Sequence, residues 1–228
     1  MPKFPKNGSL ADFQRFIHKV YAMPDARLYS LEDLLTHQQR FAMRAIKGIR
    51  KGKKIKIEFN LIIALAWLMA IANRLYVDLE TRVWERFPNL CSYCGERTCV
   101  CKVMKVKKRI KIKPRRSQKP KSVAEFQAMF ENIYPSNTRT LDHAGIHMAE
   151  EVGEISEAVH NFMGEHKGAQ FSDIEFEMAD LVSCIMGVAN SAHIDIASTL
   201  SKMFSNGCHV CHKAPCTCRF SEVANIKT

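Results

Sequence analysis

Apolar residues recur along this chain at three- and four-residue steps, the spacing of an α-helix. Met148, Val152, Ile155 and Val159 form one such stripe. The run from Phe59 to Ala72 is apolar almost throughout and ends at Asn73-Arg74, short of the roughly 20 residues a membrane span needs, so it reads as a buried core helix and not as a membrane segment. The pattern predicts helices over about 9–21, 31–50, 57–76 and 79–88, then about 122–133, 141–163, 171–193 and 195–206. Loops are expected at Met23-Pro24-Asp25-Ala26 and Pro135-Ser136-Asn137-Thr138. Val106, Ile110 and Ile112, set among lysines, suggest a short exposed strand that Pro114 stops. The expected class is all-α.

The two sets of four helices are related. Ser9-Leu-Ala-Asp-Phe-Gln-Arg-Phe-Ile-His-Lys-Val-Tyr21 aligns with Ser122-Val-Ala-Glu-Phe-Gln-Ala-Met-Phe-Glu-Asn-Ile-Tyr134, and the same register places Ala45-Ile46 on Ala158-Val159. Further on, Ala72-Asn73 falls on Ala189-Asn190, Asp78 on Asp195 and Cys91 on Cys208, so the register lengthens from 113 to 117 residues and the second copy holds a four-residue insertion. The chain divides into a first copy at 1–101, a linker at 102–121 and a second copy at 122–228.

Charge follows the same division. Residues 1–101 carry 17 Lys and Arg against 9 Asp and Glu, residues 102–121 carry 11 against none, and residues 122–228 carry 6 against 14. A basic half and an acidic half flank a basic linker, which favours docking of the halves on each other. The N-terminus has no apolar core for a signal peptide, so a cytoplasmic protein is expected.

Two acidic clusters sit at helical spacing in the second copy. Glu150, Glu151, Glu154 and Glu157 share a face of one predicted helix, and Glu177 and Asp180, three apart, interrupt the apolar pattern of the next. Facing each other across an antiparallel pair, such carboxylates repel and resist ionisation. A hard divalent cation removes the conflict, since Mg²⁺ takes oxygen ligands and commonly binds through carboxylates plus substrate phosphates.

The order Glu-Glu-x-x-Glu followed by Glu-x-x-Asp resembles the MazG-like all-α nucleoside triphosphate pyrophosphatases, relatives of the dimeric dUTPases. Asn190-Ser-Ala-His-Ile-Asp-Ile-Ala-Ser-Thr-Leu-Ser-Lys-Met-Phe-Ser-Asn206 looks like that family's last helix, and the resemblance spans about Ser122 to Asn206. It implies a Mg²⁺-dependent hydrolase that splits a nucleoside triphosphate into a monophosphate and pyrophosphate. Glu151, Glu154, Glu177 and Asp180 would ligate Mg²⁺, with Glu150 and Glu157 as further ligands or supporting groups. Lys202 and Asn206 would contact phosphate or sugar. The active unit of the family is commonly a dimer or larger, so the chain resembles a fused pseudo-dimer; a homo-oligomer of the full chain stays open.

Through the repeat, Glu150, Glu151, Glu154 and Glu157 correspond to His37, Gln38, Phe41 and Arg44, and Glu177 and Asp180 to Asn60 and Ile63. The first copy has no counterpart of the acidic site and is expected to act as a false subunit. Its Arg40, Arg44 and Lys47 either offset the acidic cluster, contact phosphate, or are surface cations.

Eight of nine cysteines fall in two runs of one spacing, C-x2-C-x4-C-x-C: Cys91, Cys94, Cys99, Cys101 and Cys208, Cys211, Cys216, Cys218. Four thiolates so close match a structural tetrahedral Zn²⁺ site. Disulfides are less expected without an export signal. His209 and His212 stand nearby as substitutes or neighbours, and Cys184 reads as a small buried hydrophobe. His143, His147 and His160 flank the glutamate helix, where polar or capping roles are expected ahead of ligation. Two other readings stay open: a nucleic-acid-binding zinc protein that uses the basic linker, and a nucleotide sensor without turnover. The linker has no aromatic residue for base stacking.

Overall fold

The computed structural model describes residues 1–106, 108–110, 112–219 and 221–222. Nine α-helices and no strand occur among them: α1 Leu10–Leu28, α2 Leu31–Arg50, α3 Lys54–Arg74, α4 Leu79–Arg86, α5 Cys101–Met104, α6 Val123–Ile133, α7 Leu141–Glu165, α8 Gly168–Ser191 and α9 Ile196–Met203. Six of the helices begin where short polar side chains satisfy their first free N–H groups, whereas α3 and α8 start after Lys53 and Lys167 without a short polar cap. Ser9, Ser30, Ser122 and Thr140 accept from the backbone three residues on, as do Asp78 and Asp195.

α2 and α3 form one antiparallel hairpin, α7 and α8 another, and α2 packs on α7 where the hairpins meet. A Cβ on Gly145 would stand 2.8 Å from the Ile49 side chain, so this residue must be small for α2 and α7 to approach. α3 is long and apolar enough to cross a membrane, but most of it is buried inside the fold, as the sequence suggests.

Hydrogen bonds recur at the positions the two sequence registers pair. Gln14 donates to the Val77 carbonyl and accepts from the Leu79 amide, while Asn73 donates to the Gln14 carbonyl. In the second half Gln127 donates to Ile194 and accepts from Ile196, and Asn190 donates to Gln127. The ends of the halves cross over: α4 packs on α8 and α9 on α3. The Cys99 amide donates to the Ile133 carbonyl at the end of α6, and the Cys216 amide donates to Val20 in α1, both at 2.8 Å.

Two expectations change. The loop at Met23-Pro24-Asp25-Ala26 is instead the last part of α1, with Pro24 inside the helix. Proline has no N–H for the carbonyl four residues back. That carbonyl belongs to Val20 and is the one Cys216 uses, so the docked cysteine loop supplies the missing donor. The strand suggested by Val106, Ile110 and Ile112 does not form among the described residues; Lys107 and Lys111 lie outside them. A lone strand needs a partner strand, which an all-helical fold does not offer. The Ile110 side chain lies over Gly95 instead, where a Cβ would collide with it.

Candidate active site and metal centres

α7 and α8 bring Glu151, Glu177 and Asp180 together, with one carboxylate oxygen of each lying within 4.8 Å of the others. Glu154 stands at the exposed edge, within hydrogen-bonding reach of Glu177. From there an open cleft of about 470 Å³ extends between Glu154, Glu157, Asn161, Gln170, Asp173 and Glu177. Glu150 is exposed and outside the trio.

Burial, reinforced by Asp180, Glu154 and Glu177, pushes the Glu151 carboxyl from 4.5 up to about 8. Burial and then Asp180 and Glu154 push Glu177 up to about 7. Oε2 of Glu151 and Oε2 of Glu177 are buried without a hydrogen-bond partner. Buried carboxylate oxygens that lack donors carry a cost a cation relieves, so this donor set fits Mg²⁺.

Asp180 is 4% exposed and is held by two arginines that sequence reasoning did not single out. Arg86, at the end of α4, donates through Nε to Oδ1 at 3.0 Å and through Nη2 to Oδ2 at 2.5 Å, with its guanidinium carbon 4.9 Å from the Phe176 ring. Arg109, in the basic linker, donates to the same Oδ2 at 2.9 Å. One turn earlier on α4, Arg82 pairs with Glu175 at 3.0 Å. The sequence signal for Arg86 lies in the repeat: its counterpart is Met203, so the cation occurs only in the copy that lacks the acids.

Lys202 and Asn206 are exposed and do not line the cleft, because α9 docks on α3 and α6 while α4 takes the place against α8. Arg44 lies 5.4 Å from the ring of its own neighbour Phe41, and the cations described on Asp180 are Arg86 and Arg109 instead of Arg40, Arg44 or Lys47. His143 and His147 pack ring to ring at 4.3 Å on α7, outside the carboxylate trio, and His160 is exposed. Cys184 is half-buried on α8; burial and then Glu151 and Asp180 push its thiol well up, so it stays protonated.

In the first half the equivalent positions are closed over. His37 stacks on Trp67 at 4.6 Å, with Tyr29 edge-on to both. Phe41 and Ile63 line a cavity of about 60 Å³ walled by Tyr21, Tyr29, Trp67 and Phe204.

Both cysteine runs gather into tetrads with all four sulfurs within 4.8 Å of one another. Neighbouring sulfurs are 3.5 and 3.6 Å apart in the first and 3.5 to 3.8 Å in the second. A tetrahedron of Zn–S bonds of about 2.3 Å has edges of about 3.8 Å, whereas a disulfide is about 2.05 Å long, so the residues fit Zn²⁺. Gly95 and His212 occupy the same left-handed turn position in the two loops, at φ 73° and 55°. His212 therefore shapes the turn. His209 is set inward, its Nδ1 3.3 Å from the Tyr21 hydroxyl and its ring against Phe204 and Phe59. Each loop rests on a tyrosine of the other half: Tyr134 donates to Cys91 Sγ at 3.5 Å, and Tyr21 interacts with Cys208.

No family model, curated protein or solved structure matches this chain.

Proposed function

We propose that the chain is a Mg²⁺-dependent nucleoside triphosphate pyrophosphohydrolase of MazG-like character, a fused pseudo-dimer with its single acidic centre in the second half. The observation that carries this reading is the meeting of Glu151, Glu177 and Asp180 across two antiparallel helices, with buried oxygens that lack donors. Charge supports it. With all four ionised, the carboxylates, counting Glu154, face two guanidiniums at a balance of −2 that one divalent cation neutralises.

Glu151, Glu154, Glu177 and Asp180 would hold the cation, whose chemistry is to polarise a phosphoryl oxygen and lower the pKa of water. The open cleft beside Glu154 admits the nucleotide, with Glu150 and Glu157 as peripheral charges. Arg86 and Arg109 border the same carboxylates and take the phosphate-binding role that resemblance gives to Lys202 and Asn206; guanidinium forks pair well with phosphate oxygens. Water adds across the bond between the α- and β-phosphates, and monophosphate and pyrophosphate leave. The two cysteine tetrads would hold structural Zn²⁺.

The linker's part as a nucleic-acid strip is weakened by its use inside the chain, where Arg109 pairs with Asp180 and Lys119 with Glu80 at 2.9 Å. The deciding experiment incubates purified protein with a panel of nucleoside triphosphates and Mg²⁺ and reads pyrophosphate against orthophosphate. Pyrophosphate release that Glu151→Gln abolishes is expected. Nucleotide binding without turnover would make the protein a sensor.

A further inference from the structure

The two cysteine tetrads share ligand spacing, yet the residues between their first two cysteines differ. In the second loop these are His209 and Val210, and His209 is directed inward against Tyr21 and Phe204. In the first loop they are Ser92 and Tyr93, and both contact Arg109. Ser92 Oγ accepts from Arg109 Nη1 at 2.8 Å, and the guanidinium carbon lies 4.1 Å from the Tyr93 ring centre. The other arm of the same guanidinium donates to Asp180 Oδ2 at 2.9 Å. An unbroken line of contacts thus joins the first cysteine tetrad to the acidic centre.

The two arginines on Asp180 are held differently. Arg86 grips both carboxylate oxygens, lies against Phe176 and has a side chain 13% exposed. Arg109 makes a single bond to an oxygen that Arg86 already uses, comes from the linker, and is 29% exposed. A dication held by Glu151, Glu154, Glu177 and Asp180 would be repelled by both guanidiniums, which already occupy Asp180. A polyphosphate arriving with the cation offers the displaced guanidinium new charge-assisted acceptors.

We propose that Arg109, positioned by Ser92 and Tyr93 of the first cysteine loop, is an exchangeable counter-ion of the acidic centre: it shares Asp180 with Arg86 and transfers to the polyphosphate of a nucleotide when the carboxylates bind a divalent cation. Arg86 stays on Asp180 through Nε and Nη2 and meets the phosphates from that position, without leaving the carboxylate. The first tetrad then has a part the second lacks, because it positions a substrate-binding residue as well as stabilising a loop. This inference rests on the metal reading of the acidic centre given above.

The test uses the full-length, zinc-loaded protein and two probes, Mn²⁺ alone and inorganic pyrophosphate added with saturating Mn²⁺. An opposite charge at such a distance shifts a carboxylate's proton affinity by tenfold or more. Arg109→Ala is therefore expected to bind Mn²⁺ about tenfold more tightly by electron paramagnetic resonance, and pyrophosphate about tenfold more weakly by calorimetry. Ser92→Ala should shift both in the same directions by less, with two zincs retained, and should add nothing in the Arg109→Ala background. Arg109→Lys should recover part of the pyrophosphate binding. If Arg109→Ala does not fold, Arg109→Lys and Ser92→Ala carry the same directions in smaller size. Mn²⁺ binding that these variants leave unchanged overturns the exchange while the acidic centre stands. A wild-type protein that binds no Mn²⁺ overturns the centre and the exchange together.

Discussion

Arg86 and Asp180 meet through two hydrogen bonds, although the arginine ends the short helix α4 of the first half and the aspartate sits mid-way along α8 of the second. The pair changes what neutralising Asp180 should do. Considered from sequence alone, Asp180→Asn relieves carboxylate repulsion and leaves the fold intact. With Arg86 and Arg109 both directed at it, the substitution instead strands buried positive charge. Breaking a buried pair from one side costs about 3–5 kcal/mol, and urea denaturation should show a loss of that order. Glu154→Gln, at an exposed position, should stay within about 0.5 kcal/mol of wild type. Equal stability of the two variants would mean that the arginines do not depend on Asp180.

Stability should fall as pH rises across the acidic centre. Glu151 and Glu177 have folded pKa values of about 8 and about 7, above their ordinary 4.5. Between these limits the folded protein binds more protons than the unfolded chain, so this contribution is fully present below pH 4.5 and is lost as pH rises through 7 to 8. Melting temperature should therefore decline over that window, Glu151→Gln should flatten the decline, and millimolar Mg²⁺ should raise the curve most at its alkaline end. A wild-type curve that rises from pH 5 to 8 would contradict the burial assigned to these carboxylates.

Much of this was legible in the sequence because it depends on local spacing. Apolar stripes marked the helices, and four close cysteines define a tetrad wherever the loop goes. Glu151, Glu177 and Asp180 were legible because two helices with a short connection must face each other. Crossed docking was not. Nothing local says that α4 rests on α8, so Arg86 and Arg109 went unseen and Lys202 and Asn206 were assigned to a site whose cleft they do not line. Pro24 misled for a related reason: the donor that makes it tolerable, the amide of Cys216, lies far along the chain.

The tetrads should carry two Zn²⁺ per chain by elemental analysis, and strong chelation should destabilise the fold, since metal binding by such sites is part of the folding free energy. The crossed tyrosines make a finer prediction. Tyr134→Phe removes the hydroxyl that donates to Cys91, and Tyr21→Phe the one beside Cys208. Hydrogen bonds to charged groups contribute about 1.5–3 kcal/mol. Each variant should release one of its two zincs to a colorimetric chelator at least tenfold faster, since tenfold corresponds to about 1.4 kcal/mol, just under the low end of that range. Unchanged release from both would show that the tyrosines merely fill space.

The halves should hold together without the peptide that joins them. α4 rests on α8, α9 on α3, each cysteine loop donates to a helix of the other half, and the Phe4 amide donates to the Phe204 carbonyl at 3.0 Å. The linker is exposed at Arg115 and Arg116, so a protease site inserted between them can be cut in the folded protein. Lys119 still pairs with Glu80 on the far side of such a cut, and Arg109 with Asp180 on the near side. The nicked protein should elute as one species near 26.0 kDa and melt in one transition. A fragment of residues 120–228 alone should self-associate, because removing α4 uncovers the face of α8 around Asp180 and removing α3 uncovers α9. Residues 1–119 supplied in trans should restore the complex, whereas residues 1–101, which lack Arg109, should restore association without the full affinity for pyrophosphate. Halves that separate on cutting, or a monomeric and well-folded 120–228 fragment, would show that the crossed contacts do not hold the structure.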